Sequence, residues 1–239
     1  MSSTNQSDID VSIQDLSKSF GNFKALERGT FDVSRGDCLL LMGSNGAGKT
    51  TLLKILSGLS RPTEGRVHIR GINLQDLPAT ARSKIGFLSH APQLYGELSA
   101  RENLIFFGRL FGVEHLSQRV EELMEIVELE DRARDLVRNF SRGMQQRVSI
   151  AKTFLHHPSL VLLDEPHSGL DPYATSVLNR LFEQYHEEGR TLILSTHDLK
   201  IPLKFINKLS ILRRGRLVHF AAIDGISSTE LHDLFVTYR

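Results

Sequence analysis

Gly43-Ser44-Asn45-Gly46-Ala47-Gly48-Lys49-Thr50 decides how this chain is read. The apolar run Cys38-Leu39-Leu40-Leu41-Met42 precedes it, and the periodic segment Thr51-Leu52-Leu53-Lys54-Ile55-Leu56 follows. Strand, loop and helix in that order are the setting in which G-x-x-x-x-G-K-[ST] cradles phosphate. The glycines let successive backbone N–H groups turn toward one anion, and the helix adds the positive end of its dipole. Lys49 is placed to reach the β- and γ-phosphates, and the Thr50 hydroxyl to ligate Mg²⁺. Gly43, Ser44, Asn45, Gly46, Ala47, Gly48, Lys49, Thr50 and Thr51 are therefore expected to hold a nucleoside triphosphate.

The composition sets limits on everything else. The chain has 239 residues, enough for a sizeable core, and one domain with a subdomain is the expectation. Its 40% hydrophobic and 24% charged content is that of an ordinary globular protein. A net charge of +1 gives no electrostatic case for a nucleic-acid binder. No apolar run approaches the roughly 20 residues needed to cross a bilayer. The polar start Met1-Ser2-Ser3-Thr4-Asn5-Gln6-Ser7-Asp8 has no signal-peptide core, so a cytosolic protein is expected, unless a partner holds it at a membrane. Lone Cys38, in an apolar strand, reads as a small buried hydrophobe.

Upstream of the loop, strands are expected near Ile9–Gln14 and Glu27–Val33, with a turn at Gly21-Asn22. Phe20 lies between them. An aromatic there could stack on a nucleobase; taken alone it reads as core. Downstream, Arg66–Arg70 and Ile85–Ser89 read as short strands, and His90-Ala91-Pro92-Gln93 as a loop. Ser99-Ala100-Arg101-Glu102 has the form of a capping box and opens a helix. Val120, Leu123, Met124 and Val127 are spaced for a second one. From about 93 to 157 the patterns are helical throughout, a helical insertion in an α/β chain. Its aromatics at 95–111 read as its core. Ser141 suits the N-cap of a third helix. Leu160–Leu163 and Thr191–Ser195 are continuous apolar runs, as in parallel strands buried on both faces. Asp171-Pro172 caps the helix between them, and residues 208–220 read as a hairpin turning at Gly215.

Triphosphate hydrolysis needs a metal, a group that positions or deprotonates water, and positive groups on the γ-phosphate. Asp164 ends a buried strand on the edge of the sheet that carries the phosphate loop, where it can hold Mg²⁺ through water. Glu165 follows it and can accept a proton from the attacking water. Gln93 and His197 each follow a separate apolar strand and could complete the site, as metal or water ligand and as γ-phosphate contact. Taken alone, each reads as a surface polar residue. Guanine specificity is unsupported, because Asn207-Lys208-Leu209-Ser210 lacks the Asp of a guanine-reading Asn-Lys-x-Asp.

The ordered set of motifs resembles an ATP-binding cassette (ABC) nucleotide-binding domain along the whole chain. It comprises GSNGAGKTT at 43–51, Gln93, FSRGMQQR at 140–147, LVLLDEP at 160–166, SGLD at 168–171 and STHD at 195–198. The resemblance implies a single α/β phosphate-loop NTPase domain over 1–239. That fold has a mostly parallel core sheet with helices, an antiparallel β subdomain and a helical subdomain at about 93–157. It implies ATP and Mg²⁺ as cofactors, Phe20 as the adenine-stacking aromatic and Gln93 as the Q-loop glutamine and a metal ligand alongside Thr50 and Asp164. Glu165 becomes the general base, His197 the switch histidine and Asp171 the D-loop aspartate. Ser141, Arg142, Gly143 and Met144 become the signature that meets ATP on the opposite subunit. Phe140, Arg142 and Met144 depart from the usual Leu-Ser-Gly-Gly-Gln. His167 stands where Thr or Ser is commoner.

The implied partners are a second ATPase subunit, as a homodimer, and integral membrane transporter subunits, with no nucleic acid. The coupling helices of those subunits are expected near Gln93–Phe111. The implied location is the cytoplasmic face of the cell membrane. A narrower likeness rests on Gly58-Leu59-Ser60-Arg61-Pro62, Ser89-His90, Leu98–Leu104, Arg109–Val113 and the signature. It is to the ATP-binding subunits of bacterial haem exporters of cytochrome c biogenesis, and implies haem export. His156-His157 reads as a helix end rather than a haem ligand. Other export ATPases share these segments, so multidrug or lipid export stands as the alternative. A soluble cassette acting on ribosomes or DNA would typically need tandem cassettes or a coiled-coil insertion. A non-hydrolysing regulatory cassette would be expected to lack Glu165 or His197.

Overall fold

The structure, a computed structural model, describes residues 8–197, 204–223 and 226–238. The polar start at 1–7 and Asp198 lie outside the described residues. In chain order the elements are β1 (Ile9–Phe20), β2 (Phe23–Ser34), β3 (Cys38–Met42), α1 (Lys49–Leu56), β4 (Glu64–Ile69), β5 (Ile72–Asn73), α2 (Ala79–Arg82) and β6 (Ile85–Leu88). They continue with α3 (Ala100–Phe111), α4 (Leu116–Ile126), α5 (Arg142–Phe154), β7 (Leu160–Asp164), α6 (Pro172–Glu187) and β8 (Thr191–Thr196). The hairpin β9 (Lys208–Arg213) and β10 (Arg216–Ala222) and the helix α7 (Ser228–Tyr238) follow.

Two sheets result. An antiparallel sheet has the order β2-β1-β4-β5; the larger sheet has the order β10-β9-β3-β8-β7-β6. In the larger sheet β9, β3, β8, β7 and β6 run parallel, and β10 is the antiparallel edge. The apolar runs fit their place because strand side chains alternate between faces. Leu39, Leu41, Leu160, Leu162 and Ile193 pack toward the antiparallel sheet and α1. Leu40, Met42, Val161, Leu163, Leu192 and Leu194 pack toward the helical insertion and α6. Cys38 is fully buried on that second side, and burial raises its thiol well above the ordinary range, as expected of an inert hydrophobe.

Parallel register aligns the strand ends that matter. Leu88 of β6 lies opposite Leu163 of β7, Asp164 opposite Ser195 of β8, and Leu41 of β3 opposite that same Ser195. The loops that leave β3, β8, β7 and β6 therefore emerge side by side, as expected at the carboxyl edge of an α/β sheet.

Between β6 and β7 lie α3, α4, α5 and two short 3₁₀ turns. The capping box on α3 is complete: Ser99 and Glu102 each bond the other's backbone N–H. The aromatics of this insertion depart from expectation. α3 buries Ala100, Asn103, Leu104 and Gly108. Phe106 and Leu110 fall on its opposite face, exposed, and Tyr95 joins the rings of Phe106 and Phe107 there. Phe111, on the Leu104 side, is 40% exposed and stacks on buried His156. The interior is built instead from Leu104, Val120, Leu123, Met124, Phe140 and Val148. The first two strands are also longer than expected. Polar residues on a two-stranded ribbon break the apolar alternation without ending the ladder, so Phe20 is the last residue of β1 rather than a loop residue.

Candidate active site

A cleft of about 400 Å³ opens at the shared strand edge. Asn45, Gly46, Ala47, Gly48, Lys49, Thr50 and Thr51 form its floor, Asp164 and Glu165 one wall, and Phe23, Ala25 and His90 the rest. Two glycines are dictated by packing. A Cβ on Gly43 would stand 2.5 Å from the Leu212 carbonyl oxygen, and one on Gly48, at φ 108°, 2.5 Å from that of Ala25. The loop is thus wedged between β9 and β2. The Lys49 ammonium donates to the carbonyls of Gly43 (2.7 Å) and Ser44 (3.2 Å) and lies 3.7 Å from Glu165 Oε1. Burial lowers its pKa from the ordinary 10.5, and the carboxylates of Glu165 and Asp164 oppose that.

Asp164 is fully buried. Its Oδ1 accepts from the Ser195 hydroxyl at 2.7 Å, and Oδ2 has no hydrogen-bond partner. A buried carboxylate oxygen without a donor beside a phosphate loop is a fitting ligand for a cation or its water. Thr50 lines the same cleft, so the residues fit Mg²⁺, which usually takes one or two protein groups plus phosphates and waters. Bound there, Mg²⁺ would offset phosphate charge. Among the described residues no cluster of three or more His, Cys, Asp or Glu side chains could hold a metal by itself.

Ser195 also accepts from the Glu165 N–H at 3.1 Å, so one hydroxyl orients both acidic residues. Glu165 sits in the left-handed region at φ 50°, uncommon for a residue with a side chain. Its Oε1 lies 2.9 Å from His197 Nδ1 and its Oε2 4.0 Å from His90 Nδ1. A carboxylate only accepts, so His197 Nδ1 carries the proton.

Two expectations need restating in position. Phe20 does not line the cleft; Phe23, its partner across the hairpin, does, and the rings are 56% and 63% exposed. Gln93 is exposed and outside the cleft, and its carbonyl accepts from Lys152 Nζ at 2.9 Å. His90 stands in the wall instead. The available signal was its position just past the end of an apolar strand.

A family model described as ABC transporter matches residues 26–168. The chain is 35% identical over 217 residues to the bacitracin transport ATP-binding protein BcrA of Bacillus licheniformis, covering 90% of this chain and 71% of that one. It is 33% identical to the Nod factor export ATP-binding protein I of Sinorhizobium fredii, over 90% of this chain and 64% of that one. Among solved structures, an ATP-binding subunit of an ABC transporter superposes with a TM-score of 0.85 at 33% identity, over 95% of this chain and 99% of that one. A dimeric ATP-binding cassette in a post-hydrolysis state with ADP and Pi superposes with a TM-score of 0.81 at 28% identity, over 90% of this chain and all of that one. The chain belongs to the ABC transporter family.

In this ABC ATPase the segment expected as the signature, Ser141–Met144, lies away from the cleft. Ser141 N-caps α5, accepting from the Met144 N–H at 3.3 Å, and its side chain and that of Arg142 are exposed. Gly143 lies close under Gly169 of the SGLD segment, and a Cβ there would be 3.1 Å from the Gly169 carbonyl oxygen. Asp171 caps α6 through the Ala174 N–H at 2.8 Å. The starts of α5 and of the SGLD segment are therefore packed together at the surface. Among the described residues no helix is long and apolar enough to cross a membrane.

Proposed function

We propose that this ABC ATPase powers an exporter, closing as a homodimer around two ATP molecules and acting on separate membrane subunits. One observation carries the reading. Lys49, Thr50, Asp164 and Glu165 line one cleft, whereas Ser141–Met144 lie outside it on an exposed helix start. Each chain thus holds most of a site and presents the missing part outward, an arrangement that a second copy completes. In the closed pair Lys49 and the loop amides hold the phosphates, and Thr50 and Asp164 would hold Mg²⁺, which would offset phosphate charge. Glu165 accepts the proton of the attacking water, and His197 fixes the Glu165 carboxylate.

Export rather than uptake is supported by the named activity of one relative, Nod factor export, while the other is named for bacitracin transport. Those names give haem export no support. Their differing cargoes favour a cargo chosen by the membrane subunits, to which exposed Tyr95, Phe106 and Leu110 offer apolar contact. Mild-detergent purification of the chain from its own membranes, with mass spectrometry of what accompanies it, tests this. Recovery of an integral membrane permease is the expected result, and its identity gives the cargo class. Recovery only from the soluble fraction with ribosomes or DNA overturns the transporter reading.

A further inference from the structure

We propose that His167 is a positioning residue for ATP hydrolysis in this chain, holding the corner that carries Glu165 by a hydrogen bond to Asn179; this rests on the reading of Glu165 as the base. β7 ends at Asp164 and α6 begins at Pro172, so the chain must turn within a few residues. It does so twice. The Ser168 N–H donates to the Glu165 carbonyl at 3.0 Å, and the Leu170 N–H to the His167 carbonyl at 3.2 Å. This corner is tied down from both sides. Gln146 of α5 donates to the Pro166 carbonyl at 3.1 Å. Toward α6, His167 Nε2 lies 2.8 Å from Asn179 Oδ1, and since an amide oxygen only accepts, Nε2 carries the proton. Asn179 is buried, and the imidazole also meets the Phe182 ring at 80°, with centroids 6.0 Å apart. Little water competes for a bond in that setting.

Glu165 needs such support, because a residue with a side chain keeps φ 50° only where its surroundings impose it. Pro166 stands between Glu165 and His167, and its ring fixes its own φ. A shift of the corner at His167 is therefore passed to the Glu165 backbone rather than absorbed on the way. The carboxylate, 2.9 Å from His197 Nδ1 and 3.7 Å from Lys49 Nζ, would move with it. His167 does not itself line the cleft, so nucleotide affinity does not depend on it. The Thr or Ser commoner at this position carries its hydroxyl on the β-carbon and would stop short of Asn179. The longer imidazole is what makes this anchor possible.

The test compares His167→Ala, His167→Gln, Asn179→Ala and the double alanine variant with the wild-type chain, reading the kcat of ATP hydrolysis and the Kd of a fluorescent ATP analogue. Glutamine places an amide nitrogen the same number of bonds from Cα as Nε2, so it keeps the donor. Each single alanine variant is expected to lose about 10- to 100-fold in kcat, the scale of a misplaced catalytic group, with Kd within about twofold. The glutamine variant should recover most of the loss. The double variant should be no slower than the slower single one, as for two halves of one bond. General loss of packing would give neither the split of kcat from Kd nor the recovery. Single alanine variants within twofold of wild-type kcat, a glutamine variant no better than alanine, or losses that multiply in the double variant overturn the role. Glu165→Gln is measured beside them. If it turns over like wild type, the reading of Glu165 itself has failed. If it is inactive while the His167 and Asn179 variants are normal, only the anchor is lost.

Discussion

Glu165 shows how much a single residue is constrained here. Its left-handed backbone, its N–H on Ser195 and its carboxylate between two imidazoles are features that a surface strand end does not need. Backbone strain of this kind persists where the surrounding structure over-determines it, commonly at functional sites. Lys49 is the cationic counterpart, and Lys49→Ala should abolish nucleotide binding. Unchanged affinity for a fluorescent ATP analogue would refute the loop assignment. The base contact is more finely divided. Phe23, in the cleft wall, is expected to carry the stacking, so Phe23→Ala should weaken ATP binding by about 1–3 kcal/mol, roughly 5- to 150-fold. Phe20→Ala should weaken it less, and the reverse order would restore Phe20 to the role that its position in the sequence suggests.

At the scale of elements, α5 ties the site together. Its first turn presents Ser141, Gln146 donates to the Pro166 carbonyl at 3.1 Å, and Lys152 holds the Gln93 carbonyl beneath the ring of Phe107. Burial lowers the Lys152 pKa from 10.5 to about 8, so this charge is held in an apolar setting by few partners. Just beyond the helix end, His156 stacks on Phe111 with centroids 4.1 Å apart and is only 9% exposed. Burial pulls its pKa from 6.5 to about 4, with Lys84 and His157 adding to the effect and the Ile85 carbonyl opposing it.

The native state thus keeps His156 neutral, while the unfolded chain takes up a proton below pH 6.5. Its stabilising effect is whole above 6.5 and is lost as pH falls toward 4, where the gap amounts to about 3 kcal/mol. His156→Gln should therefore flatten this part of the acid profile. Urea unfolding of both proteins between pH 7 and 4 checks it, and parallel profiles would show that His156 does not titrate on unfolding.

At the scale of the whole molecule, the proposed site is divided between a cleft and an exposed patch. A bulky cation at the start of α5 would meet whatever that patch docks on. Ser141→Arg should block ATP-dependent dimerisation in the Glu165→Gln background while leaving one-subunit ATP binding within about twofold of the parent. Gel filtration with ATP reads the first and fluorescence titration the second. Dimers forming normally would contradict the cross-subunit role.

The chain by itself determined what depends on local backbone chemistry and periodicity. The phosphate loop, the buried parallel strands, the caps at Ser99, Ser141 and Asp171 and the helical insertion are all legible from neighbouring residues. The final helix was legible too, in the spacing of Leu231, Leu234, Phe235 and Tyr238, although the expectations pass over it. Tertiary structure alone decided which side chains share the cleft. Phe20 and Phe23 are three positions apart on a hairpin, as are Gln93 and His90 on a loop, and pattern cannot separate them. Only the register of β6 on β7 and the lie of β2 against the loop choose His90 and Phe23. The aromatic face of α3 follows the same logic. Periodicity marks Phe106 and Phe107 as apolar, but which of them is covered depends on where α4 and α5 pack.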